Sequence, residues 1–168
     1  MPFSYYHRLT SKQKTIYLAS DSVSSIAVPQ AGLLSRSVAG IANALSAERR
    51  ADLNRACQQL CDDLLRQLEV LPLTVKVLSA RPSHDWGELQ GLYEPAQDGA
   101  EVRITVWMRT AQRRHVVAFK TFLRTLLHEL GHHLDYELLE LEDSFHTAGF
   151  FKRESSLFHQ LVTRENTP

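Results

Sequence analysis

The hydrophobic pattern of this chain changes period twice, and that change bounds the fold more tightly than any other feature. Up to about residue 69 apolar residues recur at helical spacing, as in Leu53, Cys57, Leu60, Leu64 and Leu68. Over residues 73–78 they alternate as in a strand, and alternation returns over 88–93 and most clearly over 101–108. Helical spacing then resumes over 115–141 and again over 147–162. Strands grouped between two sets of helices, rather than alternating with helices, predict an α+β domain. The expected sheet is small, three-stranded and antiparallel or mixed, with helix 115–141 packed on one face through Leu123, Leu130 and Leu134.

Upstream, Ser11 is the expected cap of a helix over 11–20, Pro29 marks a break, and a small-residue helix covers 31–45. Ser46 reads as the N-cap of a long helix over 47–69, closed by Leu71-Pro72, and residues 81–85 read as a turn. At 168 residues the chain is expected to form one domain, residues 1–46 being a helical extension and 47–162 the core.

Charge removes several functional classes. Lys plus Arg equals Asp plus Glu at 19 each, so the electrostatic footprint of a nucleic-acid binder or a polybasic membrane anchor is absent. No run approaches about 18 apolar residues, and the first residues lack an apolar leader. The two cysteines, Cys57 and Cys61, stand one turn apart on a helix, where they read as small core residues. Together these features give the cytoplasm as the expected compartment.

Chemistry concentrates in Leu127-His128-Glu129-Leu130-Gly131-His132-His133-Leu134-Asp135, which contains H-E-x-x-H. At this composition a chance match is expected about 0.025 times per chain, so the context decides. With about 100° per residue, the apolar side chains cluster near 160–240° from His128, while His132, Thr121, Thr125, Tyr136 and Glu129 fall within about 100° of it. One face is therefore core, and the other presents two imidazoles one turn apart, a spacing that suits one Zn²⁺. Glu129, rotated off the ligand line, is placed to reach a water and act as general base.

A catalytic zinc site needs a third protein ligand and an open fourth position. His146 ranks first, because four of the eight histidines (128, 132, 133 and 146) fall within this short region. Glu154 is the alternative: it interrupts the apolar stripe Phe150, Leu157, Phe158 and Leu161, where a carboxylate needs a cation, a donor or a metal. It serves either as ligand or as an acceptor that orients a ligand histidine. Asp135 is a weaker ligand candidate.

At these residues the chain resembles the zincin metallopeptidases, and is most similar to their SprT-like branch. The likeness rests on Thr125-Leu126-Leu127-His128-Glu129-Leu130-Gly131-His132 followed by His146-Thr147-Ala148-Gly149-Phe150-Phe151-Lys152, and it covers about residues 73–162. It implies one zinc per chain held by His128, His132 and His146, with Glu129 as catalytic base. It further implies hydrolysis of a peptide or protein substrate, with strand 101–108 as the substrate-binding edge. Tyr136, Arg153, His133 and His159 are the candidate donors to the oxyanion. The metzincin string H-E-x-x-H-x-x-G-x-x-H is absent, as are a zinc ribbon and a basic tail, so nucleic acid and membrane are not expected partners. The competing expectation is a zincin-fold module that holds metal for regulation or partner docking without turnover.

Overall fold

The computed structural model describes residues 2–84 and 87–162; the expected turn over 81–85 thus ends on Asp85, outside the described residues. After a short 3-10 turn at Ser4–Arg8, helix α1 spans Ser11–Asp21. Its cap is Thr10 rather than Ser11: the Thr10 hydroxyl accepts from the Gln13 N–H while the Gln13 side chain accepts from the Thr10 N–H. A second 3-10 turn, Ala31–Leu34, leads into α2 at Ser35–Ser46. Ser46 therefore ends a helix instead of capping the next one. Glu48 turns the chain with φ of 56°, and α3 runs over Arg50–Gln67.

Among the described residues five strands follow: β1 Thr74–Ala80, β2 Ser83–His84, β3 Gly87–Glu88, β4 Gly91–Glu94 and β5 Arg103–Arg109. β2 and β3 form a minimal hairpin of their own, so the expected strand over 88–93 is split between two sheets. The main sheet is mixed, in the order β1-β5-β4: β1 pairs parallel with β5, opposing Val77 to Val106, and β4 pairs antiparallel, opposing Gly91 to Val106. The strand expected to be the substrate edge is thus the central one. Hydrophobic alternation reports which faces are buried, not lateral order, and β5 is buried on both faces from Ile104 to Met108.

Of the two outer strands, β1 is covered and β4 is open. The α3 side chains Asn54 and Gln58 accept from the N–H groups of Val77 and Val75, and their amides donate back to the carbonyls of Val75 and Leu73. Arg50 adds a bond to the Val77 carbonyl. Amides one helical turn apart thus take the place of a neighbouring strand along β1.

Helix α4 spans Phe119–Glu137, and α5 spans Ala148–Leu161 behind a Thr147 cap that accepts from the Phe150 N–H. The expected start of α4 at 115 is overridden by the sheet: Val116 bridges to Arg109, and the Val117 N–H donates to the Met108 carbonyl. The α4 stripe Leu123, Leu126, Leu127, Leu130 and Leu134 is fully buried in one core with Val75, Val77, Ile104 and Val106 of the sheet, and α4 packs on α5. Burial of such a side chain contributes about 1.5–3 kcal/mol. Cys57 and Cys61 sit in the same core as free thiols, as expected of small apolar residues. Among the described residues no helix is long and apolar enough to cross a membrane.

Candidate metal centre

The face of α4 opposite this stripe meets the loop that precedes α5. His128 and His132 come from α4 and His146 from the loop. One ligand atom of each lies within 4.8 Å of the others, close enough to bind one metal ion. The Nε2 of His146 is 3.1 Å from the Nε2 of His128 and 3.1 Å from that of His132. Donors about 2.0–2.1 Å from a common tetrahedral centre stand about 3.4 Å apart, so the cluster needs little movement to close on one metal ion.

The outer hydrogen bonds set which nitrogens carry protons. The Nδ1 of His128 lies 2.9 Å from Glu154 Oε2, so it is the protonated nitrogen and donates to the carboxylate. The Nδ1 of His132 lies 2.7 Å from Ser144 Oγ, whose own proton goes to Asp135 Oδ2 at 2.7 Å. The hydroxyl must then accept from His132. Both imidazoles accordingly turn an unprotonated Nε2 toward the same point. That is the donor chemistry of a metal site. Burial, reinforced by His128 and His146, lowers the pKa of His132 to about 3, so its lone pair is free at neutral pH. Burial also lowers that of His146.

Glu129 stands beside the cluster without joining it. It is buried, and desolvation, opposed by His128 and assisted by Glu154, raises its pKa to about 7. Strand β4 crosses directly over it at Gly91, where a Cβ would come within 2.6 Å of Glu129 Oε1; only glycine permits that approach. Below, the Phe150 ring lies 5.0 Å from His128, 4.9 Å from His132 and 5.3 Å from His146. Gly131 leaves room for this floor, since a Cβ there would meet the Phe150 ring at 3.0 Å.

The other sequence candidates separate cleanly. Glu154 is bonded to the outer nitrogen of His128, and Asp135 is fully buried behind Ser144 and Arg153, so each is linked to the cluster only by way of a histidine. Arg153 cannot serve as an oxyanion donor. It is buried, and its guanidinium donates to Asp135, to Ser20 Oγ and to the carbonyls of Ser20 and Val23. His133 also faces inward: its Nε2–H donates to the Leu71 carbonyl, and its Nδ1 accepts from the Tyr93 hydroxyl at 3.1 Å. His159 is exposed near the end of α5, next to Phe158 and away from the cluster. Tyr136 alone of these four lines a cleft with the three histidines, its ring stacked on Tyr93 with centroids 6.0 Å apart.

Two clefts meet at the cluster beneath β4. One, of about 390 Å³, runs past Tyr93, Pro95, Tyr136 and Ser144; the other, of about 470 Å³, runs past Gln90, Thr121, Arg124 and Phe151. His128, His146, Glu129 and Gly91 line both.

Sequence reasoning did not find the role of the N-terminal segment. The Tyr5 hydroxyl donates to the His146 carbonyl at 2.8 Å, Asp21 accepts from the Gly149 N–H, and the Ser20 hydroxyl meets that of Thr147. The end of α1 therefore holds the loop that carries His146, across more than a hundred residues of chain. No local pattern signals such a contact. No protein-family model, curated protein or solved structure matches the chain.

Proposed function

We propose that the chain is a zinc-dependent metallopeptidase of the zincin kind, most similar to the SprT-like branch, with His128, His132 and His146 as ligands and Glu129 as general base. The observation that carries this reading is the tautomer lock. Two imidazoles donate an outward Nδ1–H, one to Glu154 and one to the Ser144–Asp135 pair, and their Nε2 atoms converge with His146 beside a buried carboxylate outside the ligand set.

A zinc ion held there would supply Lewis acidity, polarising a peptide carbonyl and making a water acidic near neutral pH. Everything else belongs to the chain. Glu129, poised near neutrality in a water-poor pocket, takes the proton of the attacking water and hands it to the departing amine. Tyr136, on the wall of the adjoining cleft, is the donor available to the developing oxyanion. The open edge of β4 takes an extended peptide by backbone pairing, so Gly91–Glu94 replaces 101–108 as the substrate strand. Stacking of Tyr93 on Tyr136, and its hydrogen bond to His133, fix that edge over α4.

The test is hydrolysis of unfolded proteins and a broad peptide library by zinc-loaded protein, with chelator and zinc add-back as controls. Cleavage should stop with chelator, return with zinc, and fall about 10²–10⁴-fold in Glu129→Gln. Zinc bound without any cleavage would leave the non-turnover module as the reading.

A further inference from the structure

The cleft of about 470 Å³ holds one side chain with a fixed positive charge, Arg124, to which the proposed reaction assigns no role. It stands one helical turn before His128 on α4, on the wall shared with Thr121, Thr125 and Gln90. Its guanidinium carbon lies 3.9 Å from the centroid of the Phe158 ring, so the charge is held on a buried aromatic face rather than waving in solvent. Among the described residues it forms no hydrogen bond or ion pair. Neither carboxylate that shares the cleft pairs with it: Glu154 accepts from His128, and Glu129 lies beneath Gly91.

Surface arginines are commonly unpaired, but this one is half-buried, fixed by stacking and turned to the same cleft as the histidine cluster. A stacked guanidinium keeps its N–H edges free and presents them in the fork that matches a carboxylate. We propose that Arg124 is a specificity-determining residue that anchors a carboxylate of the substrate, so that the cleft selects peptides with a negative charge a few residues from the bond at the metal centre. The carboxylate is supplied either by an acidic side chain or by a free C-terminus. The proposal deepens the peptidase reading and rests on it for the identity of the substrate, while binding can be measured without turnover.

Three fluorescent peptide series of equal length separate the possibilities: amidated peptides with a scanned Glu, the same with Gln, and Gln peptides with a free C-terminus. Affinity is read by anisotropy on zinc-loaded Glu129→Gln protein, and cleavage is read separately on the protein with Glu129 intact. The proposal expects the Glu series or the free-carboxylate series to bind about tenfold tighter than the neutral amidated series. That preference should vanish in Arg124→Gln, be reduced but not abolished in Arg124→Lys, which keeps the charge without the fork, and weaken with salt. It is overturned if no series binds, if all series bind alike, or if the preference survives Arg124→Gln in protein of unchanged circular dichroism. Arg124-dependent binding without cleavage would support the anchor and sink the peptidase reading. Cleavage with no dependence on charge or on Arg124 would do the opposite.

Discussion

Replacing Arg153 by methionine should be among the most damaging single changes outside the histidine cluster, although Arg153 forms no hydrogen bond with any of the three clustered histidines. Its side chain is 3% exposed and that of Asp135 is 0% exposed. The guanidinium donates to Asp135 Oδ1 at 2.8 Å, to the Val23 carbonyl at 2.6 Å and to Ser20 Oγ at 3.0 Å. Methionine fills much of the same space but leaves those acceptors dry and the carboxylate without its counter-ion. Removing one partner of a buried pair costs about 3–5 kcal/mol, a large share of the roughly 5–15 kcal/mol that holds a domain folded. Burial already raises the Asp135 carboxyl pKa and Arg153 pulls it down, so losing Arg153 pushes it further up. The damage should therefore shrink as pH falls and the carboxyl becomes neutral. Urea unfolding followed by far-ultraviolet circular dichroism, at pH 8 and pH 5, reads both effects. The double variant Arg153→Met/Asp135→Asn should recover part of the loss. Because Asp135 orients His132 through Ser144, zinc affinity of the single variant should also fall about 10–100-fold. A destabilisation below about 1 kcal/mol, or strictly additive effects in the double variant, would refute the reasoning.

Glu129 follows the same rule within the wild type. Its folded pKa of about 7 lies above the ordinary 4.5, so its contribution to stability is fully present at low pH and is lost as pH rises through 7. Metal-stripped wild type should therefore lose about 2–3 kcal/mol relative to Glu129→Gln between pH 5 and pH 8, read by paired urea titrations; a constant difference would show that Glu129 is not desolvated. His146→Ala should lower zinc affinity far more than Glu154→Gln in competition with a chromophoric chelator, and the reverse order would make the glutamate a ligand. Tyr5→Phe removes the bond to the His146 carbonyl and should weaken zinc binding several-fold with little change in melting temperature. Equal affinities would reduce the N-terminal segment to packing.

What could be read in advance follows from the range of the interactions. The helical period and H-E-x-x-H place His128, Glu129 and His132 on one face of α4 because all three lie on one helix, within five residues. A carboxylate in the apolar stripe of α5 identified Glu154 as needing a partner. That the partner is His128 depends on how α4 and α5 pack, which no local pattern encodes. Arg153 read as a candidate oxyanion donor for the same reason: its partners Ser20, Val23 and Asp135 lie on other segments. Period two revealed the main strands but not their order, since a central strand and an edge strand alternate alike. Lateral order here is decided by the Asn54 and Gln58 amides that occupy the outer edge of β1.

The most direct test of the central claim is an anomalous-difference map at the zinc edge from crystals of zinc-loaded protein. One peak per chain is expected, about 2.0–2.1 Å from the Nε2 atoms of His128, His132 and His146, with solvent in the fourth position and Glu129 facing that solvent. No peak among these histidines would contradict it, as would a fourth position closed by a protein side chain.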